Sequence, residues 1–237
     1  MGRENEKGRA RGSGRPQAGR ELLTRERILG AALEIVDREG LDALTMRRLG
    51  AELGVNPMSI YHHLPGKGAV VSGLVEVVFS RMRVPTSEGL PWQERVRAYA
   101  HAHRDIARSH PNFVLQIVSD AAAVADAVLL GSESLYEALE EAELSPEAIV
   151  RAADTLVDFV HGFALGEASS PSGRFDIGPE LLARIEAQPA EKVAALRRVF
   201  GALGEEGARY DFDAGFEAGL DILVKGIEAI AEEGVRQ

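Results

Sequence analysis

From Thr24 onward the apolar positions fall on a helical stripe. Ile28, Ala31, Ala32, Ile35 and Val36 recur three and four residues apart, the spacing that gathers side chains on one face of a helix. Thr24 stands before the stripe as an N-cap, and Gly40 follows "DRE" as a stop. A second, short helix is predicted behind Thr45, with Leu49 and Leu53 one turn apart, and Gly54-Val55 ends it. Asn56 then caps a third helix with Pro57 at its first position, where a missing N–H costs nothing. Pro65-Gly66 breaks that helix after roughly two turns, and a longer apolar helix is predicted from about Lys67 to Arg83.

The rest of the chain has no strand-like alternation and few β-branched clusters. Pro85 to Pro91 reads as a linker, and helices are predicted over 91–109, 112–120, 124–142 and 146–168. Residues 169–188 read as a loop leading into a short helix, with further helices over 189–203 and 212–233. The expected fold is all-α: an N-terminal three-helix helix-turn-helix unit on a larger helical domain.

Composition changes this picture mainly through charge. The 237 residues carry a net charge of −10, which on its face disfavours a nucleic-acid partner. Residues 1–68, however, hold 12 Lys/Arg against 9 Asp/Glu (+3), whereas 69–237 hold 15 against 28 (−13). A basic N-terminal quarter on an acidic body is the local asymmetry to which DNA responds. Residues 1–20 are rich in Gly and Arg with almost no large apolar side chains, so 1–22 is expected to be a disordered basic arm. The boundaries that follow are 23–68 for the N-terminal unit and 69–237 for the larger domain. There is no cysteine, which excludes disulfides and thiolate chemistry. No apolar run reaches the roughly 18 residues of a membrane span, and no secretory leader is legible, so the expected location is cytoplasmic with no membrane partner.

The helices over 45–53 and 57–63 with a Gly-centred turn make a helix-turn-helix, whose second helix enters the DNA major groove. Leu49, Leu53, Val55 and Ile60 seal the pair from inside. The face left free carries Met58, Ser59, Tyr61 and His62, with His63 at the end. Hydroxyls and imidazole N–H groups donate to phosphate oxygens, and Met58 can lie against a thymine methyl. Arg47 begins the preceding helix, within reach of a base or phosphate, and Lys67 opens the following one, where charge and dipole both favour a phosphate. A metal on the histidine pair is disfavoured, because adjacent residues on a helix point about 100° apart. No Asp, Glu or His stands four residues from either.

The segments "ILGAALEIVDREG" and "LTMRRLGAELGV", then Tyr-x-His followed four residues on by Lys, resemble the DNA-binding domain of the TetR family of bacterial transcriptional repressors. The resemblance implies a homodimer that binds palindromic double-stranded operator DNA and is released by a small-molecule effector. It places Arg47, Ser59, Tyr61, His63 and Lys67 on DNA-contacting positions. His62 stands where Tyr or Trp is frequent, and Gly68 where an acidic residue is common. The shorter segment "VHGFALGEA" resembles the C-terminal domain of the tetracycline-repressor branch.

Two strongly apolar helices, 146–168 and 212–233, suit a four-helix interface to which each protomer gives two. Leu156, Val160, Phe163, Phe216, Leu220, Leu223 and Ile227 are the expected interface residues; the alternative is that both stripes pack within one chain. The expected effector pocket draws on His103, His110, Phe113, Gln116, Phe159, His161 and Phe163, aromatic surface with a few polar points. No cofactor or metal is expected, since His101 and Asp105 alone fall short of a ligand set. An enzyme working through His101, Asp105 and His110 would lack a nucleophile motif, a phosphate loop and a metal triad, so no enzymatic activity is expected. A purely architectural DNA-binding protein without effector is the remaining alternative.

Overall fold

Side-chain caps set the N-terminal unit. Thr24 accepts the Arg27 N–H (3.2 Å) and starts α1, Arg25–Glu39; Thr45 accepts the Arg48 N–H (3.1 Å) and starts α2, Met46–Leu53; Asn56 accepts the Met58 N–H (2.9 Å) and starts α3, Pro57–Tyr61. Between α2 and α3 the chain turns through Gly54 at φ 65°, a left-handed conformation that side chains resist, and Val55 N–H closes the turn onto the Gly50 carbonyl (2.9 Å). A short 3-10 turn, Leu41–Ala43, joins α1 to α2. The computed structural model describes residues 22–85, 89–117, 120–170, 174–175, 178–207 and 210–235. The expected basic arm lies outside these residues except for Leu22.

Helix α4, Lys67–Phe79, is apolar on several sides because it is sandwiched: Val70, Val71, Leu74, Val75, Val78 and Phe79 are all buried between α1 and α7. It ends at Phe79, short of the Arg83 expected, where the Ser80 hydroxyl folds onto the Val77 carbonyl (3.2 Å). There follow α5, Trp92–Ser109; α6, Pro111–Ile117; α7, Ala121–Gly131; α8, Glu133–Glu141; α9, Pro146–Ala168; α10, Gly178–Glu186; α11, Ala194–Gly207; and α12, Phe212–Val235. The single helix expected over 124–142 is two, broken at Ser132, a buried residue whose hydroxyl lies 3.4 Å from the Tyr99 hydroxyl. The segment read as 189–203 begins with a 3-10 turn at Ala190–Lys192, and its helix, α11, packs on α10. A two-residue antiparallel ladder pairs Arg174 with Asp211 and Phe175 with Tyr210 ahead of α12. The protein is otherwise helical throughout the described residues, an all-α fold.

Two cores result. The first joins α1–α4 to Phe113, Val114 and Ile117 of α6 and to the end of α5, so the DNA-binding unit is built onto the larger domain. The second packs Val96, Tyr99, Leu135, Leu139, Ile149, Leu156, Val160, Phe216, Leu220 and Val224 among α5, α8, α9 and α12. Among the described residues, no single helix is long and apolar enough to cross a membrane.

Candidate nucleic-acid interface and effector cavity

Helix α3 is only five residues long, and tertiary packing holds it. Ile60 and Leu64 are buried in the first core beside Leu49, which turns the other face of the helix outward. Met58 is 62% exposed and Tyr61 42%, His62 and His63 are exposed, and Ser59 is half-buried. Two neighbouring arginines divide the work at the start of α2. Arg48 is tied to Glu39 (2.8 Å) and Glu52 (2.5 Å), and Arg38 reaches the same two carboxylates, a network that pins α1 to α2. These pairs hold the Glu39 and Glu52 carboxyls below their ordinary range, with the hydrogen bond from Arg48 the largest cause. Arg47 is exposed and makes no hydrogen bond or ion pair among the described residues, so its guanidinium is free for a partner.

Lys67 departs from expectation. Its ammonium donates to the Leu41 carbonyl (2.9 Å), so one of its three donors is spent inside the protein while two remain. The Leu41 N–H in turn donates to the Gln116 side-chain oxygen (2.5 Å). Leu41 thus joins α6 of the larger domain to the first residue of α4.

Of the seven residues expected in the effector pocket, His103 and His161 line a cavity of about 330 Å³ between α4, α5, α7, α8 and α9. The other five lie outside its lining. His110 lies 2.9 Å from the Asp37 carboxylate on α1, and Gln116 holds Leu41. Phe113 is fully buried in the first core. Phe159 and Phe163 (ring centroids 4.8 Å apart) cluster with Phe216, over which the Arg104 guanidinium sits at 4.4 Å.

The cavity wall is apolar (Phe79, Ile117, Val124, Val128, Leu135 and Val157), with a polar rail across it. Tyr99 Oη lies 3.3 Å from His103 Nδ1, and His103 Nε2 lies 3.1 Å from His161 Nε2. Burial, aided by its neighbour His161, pushes the His103 imidazole down to about 3, and burial also lowers His161 against the opposing pull of Asp158. Both rings are neutral at physiological pH, as a shared proton between two ring nitrogens requires. Tyr99, Ser132, Asp154 and Asp158 also line the cavity and escaped the sequence reading. The signal was present in a polar stripe, Asp154, Asp158 and His161, at helical spacing on one side of α9.

The expected interface residues pack first within their own chain. Leu156, Val160, Phe216, Leu220 and Ile227 are buried within one chain, and Phe163 and Leu223 are half-buried beside them. A Cβ on Gly219 would lie 2.5 Å from the Phe159 ring, so that close approach serves this chain's own packing. The stripes build the second core. Leu156, Leu223 and Ile227 also line a groove of about 550 Å³ between α9 and α12, which Ile222 (72% exposed) and Ile230 (52%) border. Among the described residues no group of three or more His, Cys, Asp or Glu side chains is placed to hold a metal.

Comparison with known proteins gives two family matches: residues 28–74 match the bacterial regulatory proteins of the tetR family, and residues 84–231 match the tetracyclin repressor-like C-terminal domain. The chain is 29% identical to the HTH-type transcriptional repressor DrrR1 of Streptomyces coeruleorubidus, over 92% of this chain and 83% of that one. It is similar to the solved TetR family protein ActR of Streptomyces coelicolor in complex with actinorhodin, at a TM-score of 0.73 and 29% identity over 89% of this chain and 99% of that one. It is also similar to BioQ with its natural double-stranded DNA operator, at a TM-score of 0.59 and 25% identity over 88% and 99% of the two chains.

Proposed function

The chain belongs to the TetR family of bacterial transcriptional repressors and is a ligand-responsive repressor; we propose that it acts as a homodimer on a palindromic operator in the cytoplasm. Each protomer inserts α3 into the major groove, where Ser59, Tyr61, His62 and His63 meet the backbone and Met58 meets a base edge. Arg47 and the two free donors of Lys67 flank it. The observation that carries this reading is the outward face of α3 and its C-terminal turn: Met58, Tyr61, His62 and His63 are exposed while Ile60 and Leu64 anchor the segment in the core.

The effector enters the 330 Å³ cavity, a volume within the usual range for small-molecule sites. The actinorhodin complex of ActR supports a ligand in this domain, and the operator complex of BioQ supports the DNA partner. Signal passes through α4 and α6. Phe79 at the end of α4 and Ile117 at the end of α6 both line the cavity. Lys67 at the start of α4 and Gln116 on α6 both hold Leu41. Asn112 adds a bond to the Asp37 carbonyl (2.9 Å). A ligand that displaces either helix therefore shifts the seat of α3.

Dimerisation uses the outer sides of α9 and α12, with Ile222, Gly226 and Ile230 at the groove. The protein is a regulator rather than an enzyme. Selection of duplex sites from a random DNA pool tests the proposal. The expected result is an inverted repeat bound far more tightly than random DNA, with affinity that falls steeply as salt rises. Equal affinity for selected and random duplexes overturns it. The basic arm adds non-specific affinity, so its deletion flattens the salt slope and spares operator preference.

A further inference from the structure

The charge lining the cavity says more about its ligand than its shape does. Asp154 and Asp158, one turn apart on α9, both line it, and neither carboxylate makes a hydrogen bond or ion pair among the described residues. No Arg or Lys stands among the lining residues. The two lining histidines cannot supply the missing cation, because His103 is held neutral by burial and His161 is lowered as well. The protein's buried guanidiniums are engaged elsewhere, Arg104 with Glu167 and Asp213 (2.8 Å to the latter) and Arg95 with Glu137 and Glu141, so neither offsets the two exposed carboxylates. Two unpaired carboxylates on an apolar cavity wall repel an organic anion and attract a cation, all the more as the ligand displaces water from between them.

The rail adds a second feature. With Tyr99 donating to His103 Nδ1, His103 Nε2–H donates to His161 Nε2, and His161 carries its proton on Nδ1 as a donor. With the chain reversed, Tyr99 donates to Ser132, His161 Nε2–H donates to His103, and His161 Nδ1 is an acceptor. The rail therefore takes either a carbonyl or a hydroxyl by shifting its protons in place.

We propose that the effector is a cationic amphiphile: a compact apolar body that fills the space between Phe79, Val128 and Leu135, an oxygen that meets the His161 end of the rail, and an ammonium that sits between Asp154 and Asp158. The proposal rests on the reading of this cavity as the effector site.

Three probes with one biphenyl body separate the classes: biphenylmethylammonium, biphenylmethanol and biphenylacetate, titrated into the full chain without DNA by calorimetry at pH 7.5. The ammonium is expected to bind about tenfold or more tightly than the alcohol, with the carboxylate weakest. Asp154→Asn/Asp158→Asn, at exposed positions that leave the fold intact, removes the preference for the ammonium and leaves the alcohol's affinity unchanged. Because 69–237 is acidic overall, a preference that survives this double substitution belongs to the general surface and overturns the proposal. So does equal or tighter binding of the alcohol or the carboxylate, or no binding of the ammonium. Operator binding is measured on the same preparation. Its loss would sink the repressor reading and leave the charge preference standing, and the reverse pattern would sink only the ligand class.

Discussion

Two pairs of histidines show how differently the two ends of this protein work. His62 and His63 are neighbours in the chain, exposed at the end of α3, and do not touch. His103 and His161 are 58 residues apart and meet at 3.1 Å inside the cavity between α5 and α9. Adjacency along a helix sends two side chains in different directions, which suits a surface that spreads contacts along a DNA backbone. Packing of α5 on α9 brings two distant side chains together and strips their water, which suits a site that recognises one small molecule. At the DNA end the polar groups face outward and contribute little to folding. In the cavity the two histidines are bonded to each other and to Tyr99, and burial holds them neutral.

That division can be broken most severely beside the cavity. Phe216→Ala empties a fully buried site between α9 and α12 and should lower stability by about 3–5 kcal/mol, measured by chemical denaturation. Unchanged stability would mean that the stripe does not form the core. At the other end, Tyr61→Ala/His63→Ala should weaken operator binding by about 2–3 kcal/mol. Its denaturation midpoint should stay that of the parent, because both side chains are exposed.

Acid should separate the pairs next. The folded His103 imidazole lies at about 3, below its unfolded value near 6.5. Between those values the unfolded chain binds the proton and the folded chain does not. The resulting loss is absent above about pH 6.5 and grows as pH falls toward 3, reaching about 2 kcal/mol at pH 5. His103→Gln should flatten the fall in stability between pH 7 and pH 5, and an unchanged slope would show that other groups cause it. The smallest effect concerns the link between the ends. Gln116→Ala removes the bond to Leu41 and should leave operator and effector affinities near the parent's. Effector-driven release should weaken by about 1 kcal/mol of coupling, read as the shift in operator affinity at saturating effector.

Much of the DNA end was legible without coordinates. Caps at Thr24, Thr45 and Asn56, the turn glycine Gly54 and the buried Ile60 act over a few residues, so the sequence order contains most of their geometry. Lys67 was the exception, because its partner Leu41 lies 26 residues away. The cavity was legible only in part. His103 and His161 could be named as candidates, but Phe113, Phe159 and Phe163 are equally aromatic and went to the cores. An apolar stripe announces that a helix face is buried and is silent about what covers it. For α9 and α12 the cover is each other together with α5 and α8, and Leu156, Leu223 and Ile227 still reach the groove between them.

The sequence by itself determined the helices of the N-terminal unit, their caps, the helix-turn-helix and its outward chemistry, because each depends on interactions within one or two turns. Only the tertiary structure decided that Leu41 joins α6 to α4, that the apolar stripes fill the core, and that Asp154, Asp158, His161 and His103 share one cavity. Those outcomes are set by which helix packs on which, a long-range choice that hydrophobic burial drives and that no local spacing encodes.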